Sequence, residues 1–242
     1  MHVGLLACDE VAERFRHIAG GYQEMFERLL SPHILGLRLT RFDVQADNTP
    51  RDPRTCDAWI TTGSRASVYD DAAWIRTLER FVRQIADSDR PFVGVCFGHQ
   101  LLARTLGADV KRAPGGWGVG VLPMRVVHRE DWMAPALSTV RLQYMHADQV
   151  MEPPDGATLL GEATHCPVAM FQQGPRLMGI EAHPEFPAAY ARALIDARRS
   201  RIGEEVAEDG LARVDEPTDS EIVGGWIARC FRANGALSAP TY

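Results

Sequence analysis

Unbroken apolar runs alternate with helically spaced apolar positions along the N-terminal part of the chain. Val3-Gly4-Leu5-Leu6-Ala7-Cys8 holds no polar side chain, the pattern of a strand buried on both faces. Tyr22, Met25, Phe26, Leu29 and Leu30 follow at the spacing of one helix face. Residues 35–44 form the second predicted strand and residues 58–62 the third. Trp74, Leu78, Phe81, Val82 and Ile85 mark the next amphipathic helix, and residues 91–95 the fourth strand. Strand and helix in alternation predict an α/β fold, a mostly parallel sheet flanked by helices, with ligands at the carboxyl ends of its strands.

Beyond Asp109 the periodicity changes. Short β-like runs at 119–127 and 139–144 are separated by Gly and Pro turns, which predicts a small antiparallel extension. Residues 177–180 read as a buried strand. Residues 188–201 read as a helix whose end gathers Arg198, Arg199 and Arg201, charges that suit the negative pole of its dipole and are expected on a solvated helix end. Glu204, Glu205, Glu208, Asp209, Asp215, Glu216, Asp219 and Glu221 form an acidic connector, expected to be hydrated surface. A last helix then carries Ile222, Val223, Trp226, Ile227 and Phe231. One domain is expected over 1–242, with the motifs inside about 3–195. Residues 203–242 are expected either to pack on it or to serve as a homodimer or partner contact.

Composition narrows the function. With 242 residues, 45% of them hydrophobic, the chain suffices for one sizeable core. A formal charge of -6 argues against a nucleic-acid groove, which needs a basic stripe. The N-terminus lacks a basic n-region and no apolar stretch approaches a membrane span, so a cytoplasmic protein is expected. Five cysteines at irregular spacing suggest neither a disulfide framework nor a zinc ribbon. His99, His128, His146 and His165 are scattered without metal-ligand spacing, so no metal is expected. The glycines from Gly115 to Gly120 lack the Lys-Ser/Thr of a phosphate loop, and no cofactor is expected.

Cys96 lies in Gly94-Val95-Cys96-Phe97-Gly98-His99-Gln100, at a strand-to-helix join with glycine two residues to either side. Such a join is the pattern of a nucleophile elbow, where close backbone approach excludes bulk. A helix N-terminus there favours a thiolate and an oxyanion. The competing reading is a buried structural thiol. Downstream, a predicted strand runs out into Glu181-Ala182-His183-Pro184-Glu185-Phe186. Pro184 biases His183 toward extended geometry, and residues two apart in extended chain share a side. Glu185 is therefore expected to orient His183, which gives nucleophile, base and orienter in chain order.

These two segments resemble the triad signature of class I glutamine amidotransferases, of the GMP-synthase-like branch. Trp59-Ile60-Thr61-Thr62-Gly63-Ser64 resembles the family's oxyanion-loop strand, and Tyr144-Met145-His146-Ala147-Asp148-Gln149-Val150 its His-x-Asp-x-Val segment. The resemblance implies a flavodoxin-like amidotransferase fold and cleavage of a γ-glutamyl amide, glutamine to glutamate plus ammonia, through a thioester on Cys96. It implies catalytic roles for Cys96, His183 and Glu185 and backbone oxyanion donors at Phe97, Gly63 and Ser64. Gln100, His146 and Asp148 are implied beside the substrate, although Gln100 also reads as a helix residue tucked under the loop and the His-x-Asp pair as structural. A separate synthetase subunit that consumes the ammonia is the implied partner.

The chain departs from this pattern at Gly118, where many members carry an acid, and at Glu181, where many carry Gln. About forty residues follow the motif-bearing region, too few for a synthetase module, so the ammonia acceptor is expected elsewhere or not at all. The alternatives are therefore a stand-alone γ-glutamyl peptide hydrolase, a catalytically silent regulatory module of the same fold, or a redox-active relative using the elbow cysteine.

Overall fold

Alternate side chains of the first strand go to opposite faces, and two helical layers meet them. The computed structural model describes residues 1–233. In β1 (His2–Ala7) Val3 and Leu5 join one buried cluster while Leu6 joins the other, as the period of two requires. The first cluster is closed by α2 (Tyr22–Leu30), α5 (Ala188–Ile202) and α7 (Ser220–Ala233), through Phe26, Tyr190 and Trp226. The second is closed by α3 (Ala73–Ala86) and α4 (Phe97–Thr105), through Phe81 and Leu101. Each fully buried apolar side chain of this kind contributes roughly 1.5–3 kcal/mol.

The remaining elements are α1 (Glu13–Ala19), β2 (Arg38–Asp43), β3 (Ala58–Thr61), β4 (Phe92–Val95), β5 (Val110–Arg112), β6 (Gly118–Val126), β7 (Thr139–His146), β8 (Asp148–Val150), β9 (Thr158–Ala163), β10 (Cys166–Gln173), β11 (Leu177–Ile180) and α6 (Glu204–Arg213). The large sheet has the order β2-β1-β3-β4-β11-β10-β9-β6-β7. Its first five strands pair in parallel and the rest antiparallel. This is the α/β architecture expected from the alternating pattern, with the antiparallel strands continuing the same sheet. β5 and β8 form a separate two-stranded ladder in which Arg112 pairs with Asp148. Among the described residues no helix is long and apolar enough to cross a membrane.

Two expectations are corrected. The second strand begins at Arg38, not at residue 35, because Gly36 takes a left-handed φ of 64° and turns the chain, leaving Leu35 fully exposed. The acidic stretch after α5 is not a hydrated connector throughout. Its first part folds as α6 and docks on β6 with Ala207 and Gly210 buried, while Glu204, Glu205, Glu208 and Asp209 face solvent.

That docking depends on small residues. A Cβ on Gly210 would sit 2.7 Å from Val119 Cγ2, and a Cβ on Gly120 would sit 2.5 Å from the Gly210 carbonyl. Gly210→Ala is therefore expected to destabilise the fold by about 1–3 kcal/mol through overpacking, with a lower thermal midpoint. Gly115→Ala, where a Cβ meets nothing within 4 Å, serves as the control and should leave the midpoint in place or raise it.

Candidate active site

β4 ends at Val95 and α4 begins at Phe97, so the whole reversal falls on Cys96. Cys96 holds φ 50° and ψ -102°, a left-handed conformation that costs a non-glycine residue about 1–3 kcal/mol and persists only where surrounding structure enforces it. Glycines enforce it here. A Cβ on Gly94 would meet the Gly98 carbonyl oxygen at 2.3 Å, and one on Gly98 would meet Thr61 Oγ1 at 1.6 Å. That hydroxyl accepts the Val95 N–H at 3.1 Å, tying the end of β3 to the elbow.

β11 runs parallel to β4, and the Cys96 N–H donates to the Ile180 carbonyl at 2.9 Å. His183 follows three residues later, pinned by its own N–H to the Gln143 carbonyl at 2.8 Å. Its Nδ1 lies 2.8 Å from Glu185 Oε1, and its ring stacks on Phe186 at 3.9 Å between centroids with the planes 8° apart. A Cβ on Gly63 would lie 3.6 Å from both His183 Nε2 and Cys96 Cβ, and 2.7 Å from His183 Cε1. Gly63 therefore lies against both side chains, and only glycine fits. Glu185 and His183 are both buried.

The loop carrying Gly63 and Ser64 is clamped at both ends. Thr62 Oγ1 accepts the Cys8 N–H at 2.9 Å and donates to the Gly63 carbonyl at 2.8 Å. Buried Asp9 accepts the Arg65 backbone N–H at 3.0 Å and two guanidinium hydrogen bonds at 2.8 Å. Such a bidentate, charge-assisted pair fixes direction as well as distance.

Gln100, His146 and Asp148 come together on one wall of the cavity above Cys96. Gln100 Nε2 donates to the Asp148 carbonyl at 2.9 Å and to Glu181 Oε1 at 2.7 Å. His146 Nδ1 lies 2.9 Å from the same carbonyl. Both side chains thus brace the turn between β7 and β8. The Asp148 carboxylate accepts from the hydroxyls of Ser67 and Tyr69.

The sequence marks Glu181 as a departure from the family's Gln but does not reveal its surroundings. Glu181 is fully buried; its Oε1 accepts from Gln100, and its Oε2 has no hydrogen-bond partner among the described residues. Burial pushes its carboxyl well above the ordinary carboxylate range, against the opposing pull of the Gln100 hydrogen bond. Burial therefore favours its neutral form. Around it the rings of His99, 3.5 Å away, and His146, 3.7 Å away, stay neutral because burial lowers them to about 4 and about 3. The space beside Gly118 is taken by two rings: a Cβ there would meet His165 Cδ2 at 2.5 Å and His146 Nε2 at 3.0 Å. Burial also raises the Cys96 thiol well above its usual value, helped by Glu181 and Glu185 and opposed by the Phe97 N–H and Arg198. Among the described residues no group of His, Cys, Asp or Glu is arranged to hold a metal ion.

The basic end of α5 is the third correction. Arg199 pairs with Asp196, Glu204 and Glu208 at the surface, but half-buried Arg198 and exposed Arg201 also line the cavity of Cys96, so this helix end is more than a solvated surface. Charge and spacing in the sequence reveal the cluster; only the packing of α5 beside β6 and β7 reveals where it faces.

The neutral state of Glu181 has a measurable consequence. Between the carboxyl's unfolded and folded values the unfolded chain loses a proton that the native state keeps, so native stability falls as pH rises. Glu181→Gln keeps the shape of the neutral acid and removes that loss. Its stability relative to the unmodified protein, from urea unfolding, should improve by about 1.4 kcal/mol per pH unit while only the unfolded chain ionises. A difference independent of pH would mean that Glu181 is ionised in the fold. Both proteins should lose stability as pH drops below 6.5, where unfolded but not native His99 and His146 take up protons.

The chain is similar to known proteins in sequence and in fold. The chain is 26% identical over 242 residues to a glutamine amidotransferase-like protein of Schizosaccharomyces pombe, covering 94% of this chain and 97% of that protein. It is 29% identical over 174 residues to gamma-glutamyl peptidase 4 of Arabidopsis thaliana, covering 69% and 68%. A crystal structure of a glutamine amidotransferase from Thermotoga maritima superposes with a TM-score of 0.73 over 98% of this chain and 99% of that one, at 18% identity, a likeness of fold. The family model "Glutamine amidotransferase class-I" matches residues 23–193, and the chain belongs to that family.

Proposed function

We propose that the chain is a cysteine hydrolase of γ-glutamyl amides. The observation that supports this best is that Cys96 Cβ and His183 Nε2 each lie 3.6 Å from where a Cβ on Gly63 would sit, with Glu185 hydrogen-bonded to the same ring. In this reading Cys96 Sγ attacks the γ-carbonyl carbon while His183 Nε2 takes the thiol proton. A thiol held protonated at rest by burial needs such a base at the moment of attack. The negative charge that develops on the carbonyl oxygen is met by the Phe97 N–H and an N–H of the Gly63-Ser64 loop. Fixed dipoles of this kind stabilise without reorganising.

The C–N bond then breaks as His183 returns its proton to the leaving nitrogen. A γ-glutamyl thioester remains on Cys96. Water attacks it, His183 accepts the water proton, and glutamate departs as the thiol is restored. Glu185 holds the ring in one tautomer and balances its transient charge. Gln100 and His146 act by holding the Asp148 segment against the substrate's amino-acid head. The Asp9–Arg65 clamp keeps the loop donors in place.

The test is covalent labelling with a glutamine-mimicking electrophile followed by peptide mapping. The label should fall on Cys96 and be lost in Cys96→Ala, while His183→Ala should lower turnover of a γ-glutamyl anilide by about 100-fold or more. Cys8, Cys56, Cys166 and Cys230 are buried thiols that do not line the cavity above Cys96, so they should stay unlabelled. Label confined to those four would contradict the proposal.

A further inference from the structure

The cavity above Cys96 is lined by four arginines, Arg65, Arg112, Arg198 and Arg201, in a chain whose formal charge is -6. Arg65 is neutralised by Asp9. Among the described residues, Arg112, Arg198 and Arg201 form no ion pair with a carboxylate.

They are nonetheless positioned. Trp117 donates its indole N–H to the Arg201 carbonyl at 3.0 Å. The guanidinium carbons of Arg112 and Arg201 lie 5.7 and 5.8 Å from its ring centroid. Arg198, one turn before Arg201 on α5, shares its face and is half-buried. Its charge reaches the Cys96 thiol. Among the described residues the acidic side chain on the wall is Asp148, across the ladder from Arg112.

This wall carries more positive charge than glutamine can satisfy. A glutamine zwitterion brings one carboxylate, matched by one arginine, and one ammonium, matched by Asp148. Two guanidiniums remain, and a guanidinium fork is shaped for carboxylate. We propose that Arg112, Arg198 and Arg201, ordered by Trp117, form an anion subsite that selects γ-glutamyl amides whose leaving amine itself carries a carboxylate, the γ-glutamyl amino acids and peptides, over glutamine. This rests on the γ-glutamyl hydrolase reading. The reaction balances as hydrolysis: the amide C–N bond breaks, water gives its oxygen to the acyl carbon and a proton to the amine, and glutamate and a free amino acid or peptide are released.

The test compares γ-glutamylglycine with γ-glutamylglycinamide, which differ only in the terminal carboxylate. In Cys96→Ala, which binds without turnover, calorimetry should show the acid bound at least about fivefold more tightly than the amide. Adding Arg112→Gln and Arg201→Gln should bring that ratio toward one, and raising salt should narrow it in Cys96→Ala alone without further substitution. In the intact chain, kcat/KM should show the same preference. Equal affinity for the two ligands in Cys96→Ala, or a preference that survives both the substitutions and salt, overturns the subsite. If Cys96→Ala discriminates but the intact chain releases glutamate from neither compound, the subsite stands and the hydrolase reading fails.

Discussion

The last rung between β4 and β11, the Cys96 N–H on the Ile180 carbonyl, sets the relative height of two segments far apart in the chain. Parallel pairing brings the carboxyl ends of both strands to the same edge of the sheet, where the chain on one side turns into α4 and on the other runs on to His183. That rung fixes the elbow against the strand that leads to His183. The glycines at 63, 94 and 98 follow from the same constraint, since three backbones and a strained cysteine converge where no Cβ fits. The elbow is therefore a property of several strands packed together and not of its own heptapeptide alone.

A second consequence is electrical. Packing the junction this tightly removes water, and burial then governs every ionisable group beneath it. It favours Cys96 as a thiol, Glu181 as a neutral acid, and His99 and His146 as neutral rings. Glu181 stands where many family members carry Gln, and in its neutral form it offers an acceptor to Gln100 as Gln would. The departure at Gly118 is spatial, because the rings of His165 and His146 fill the volume a side chain there would need. Positive charge is kept at the rim, on Arg112, Arg198 and Arg201, where water still reaches the guanidiniums of Arg112 and Arg201.

Much of this was legible in the sequence, for reasons that differ by element. β1, β3, β4 and β11 are short, apolar and buried on both faces, so each announces itself as a run. The faces of α2 and α3 carry large apolar residues at helical spacing. α6 escaped because its buried contacts are Ala207 and Gly210, small residues that leave no apolar period amid the acids. α1 escaped for a like reason, with only Ala19 buried. The positions of Cys96, His183 and Glu185 could be picked out by residue type and spacing. The environment of Glu181 and the direction of Arg198 and Arg201 depend on which strands become neighbours, and local pattern does not carry that information.

The central claim is that strand register delivers the Cys96 sulfur and the His183 ring to one point. A crystal structure of the protein measures this directly. The account predicts His183 Nε2 within about 4 Å of Cys96 Sγ and facing it, with Nδ1 on Glu185. A ring turned away from the sulfur, with β11 shifted out of register against β4, would contradict it.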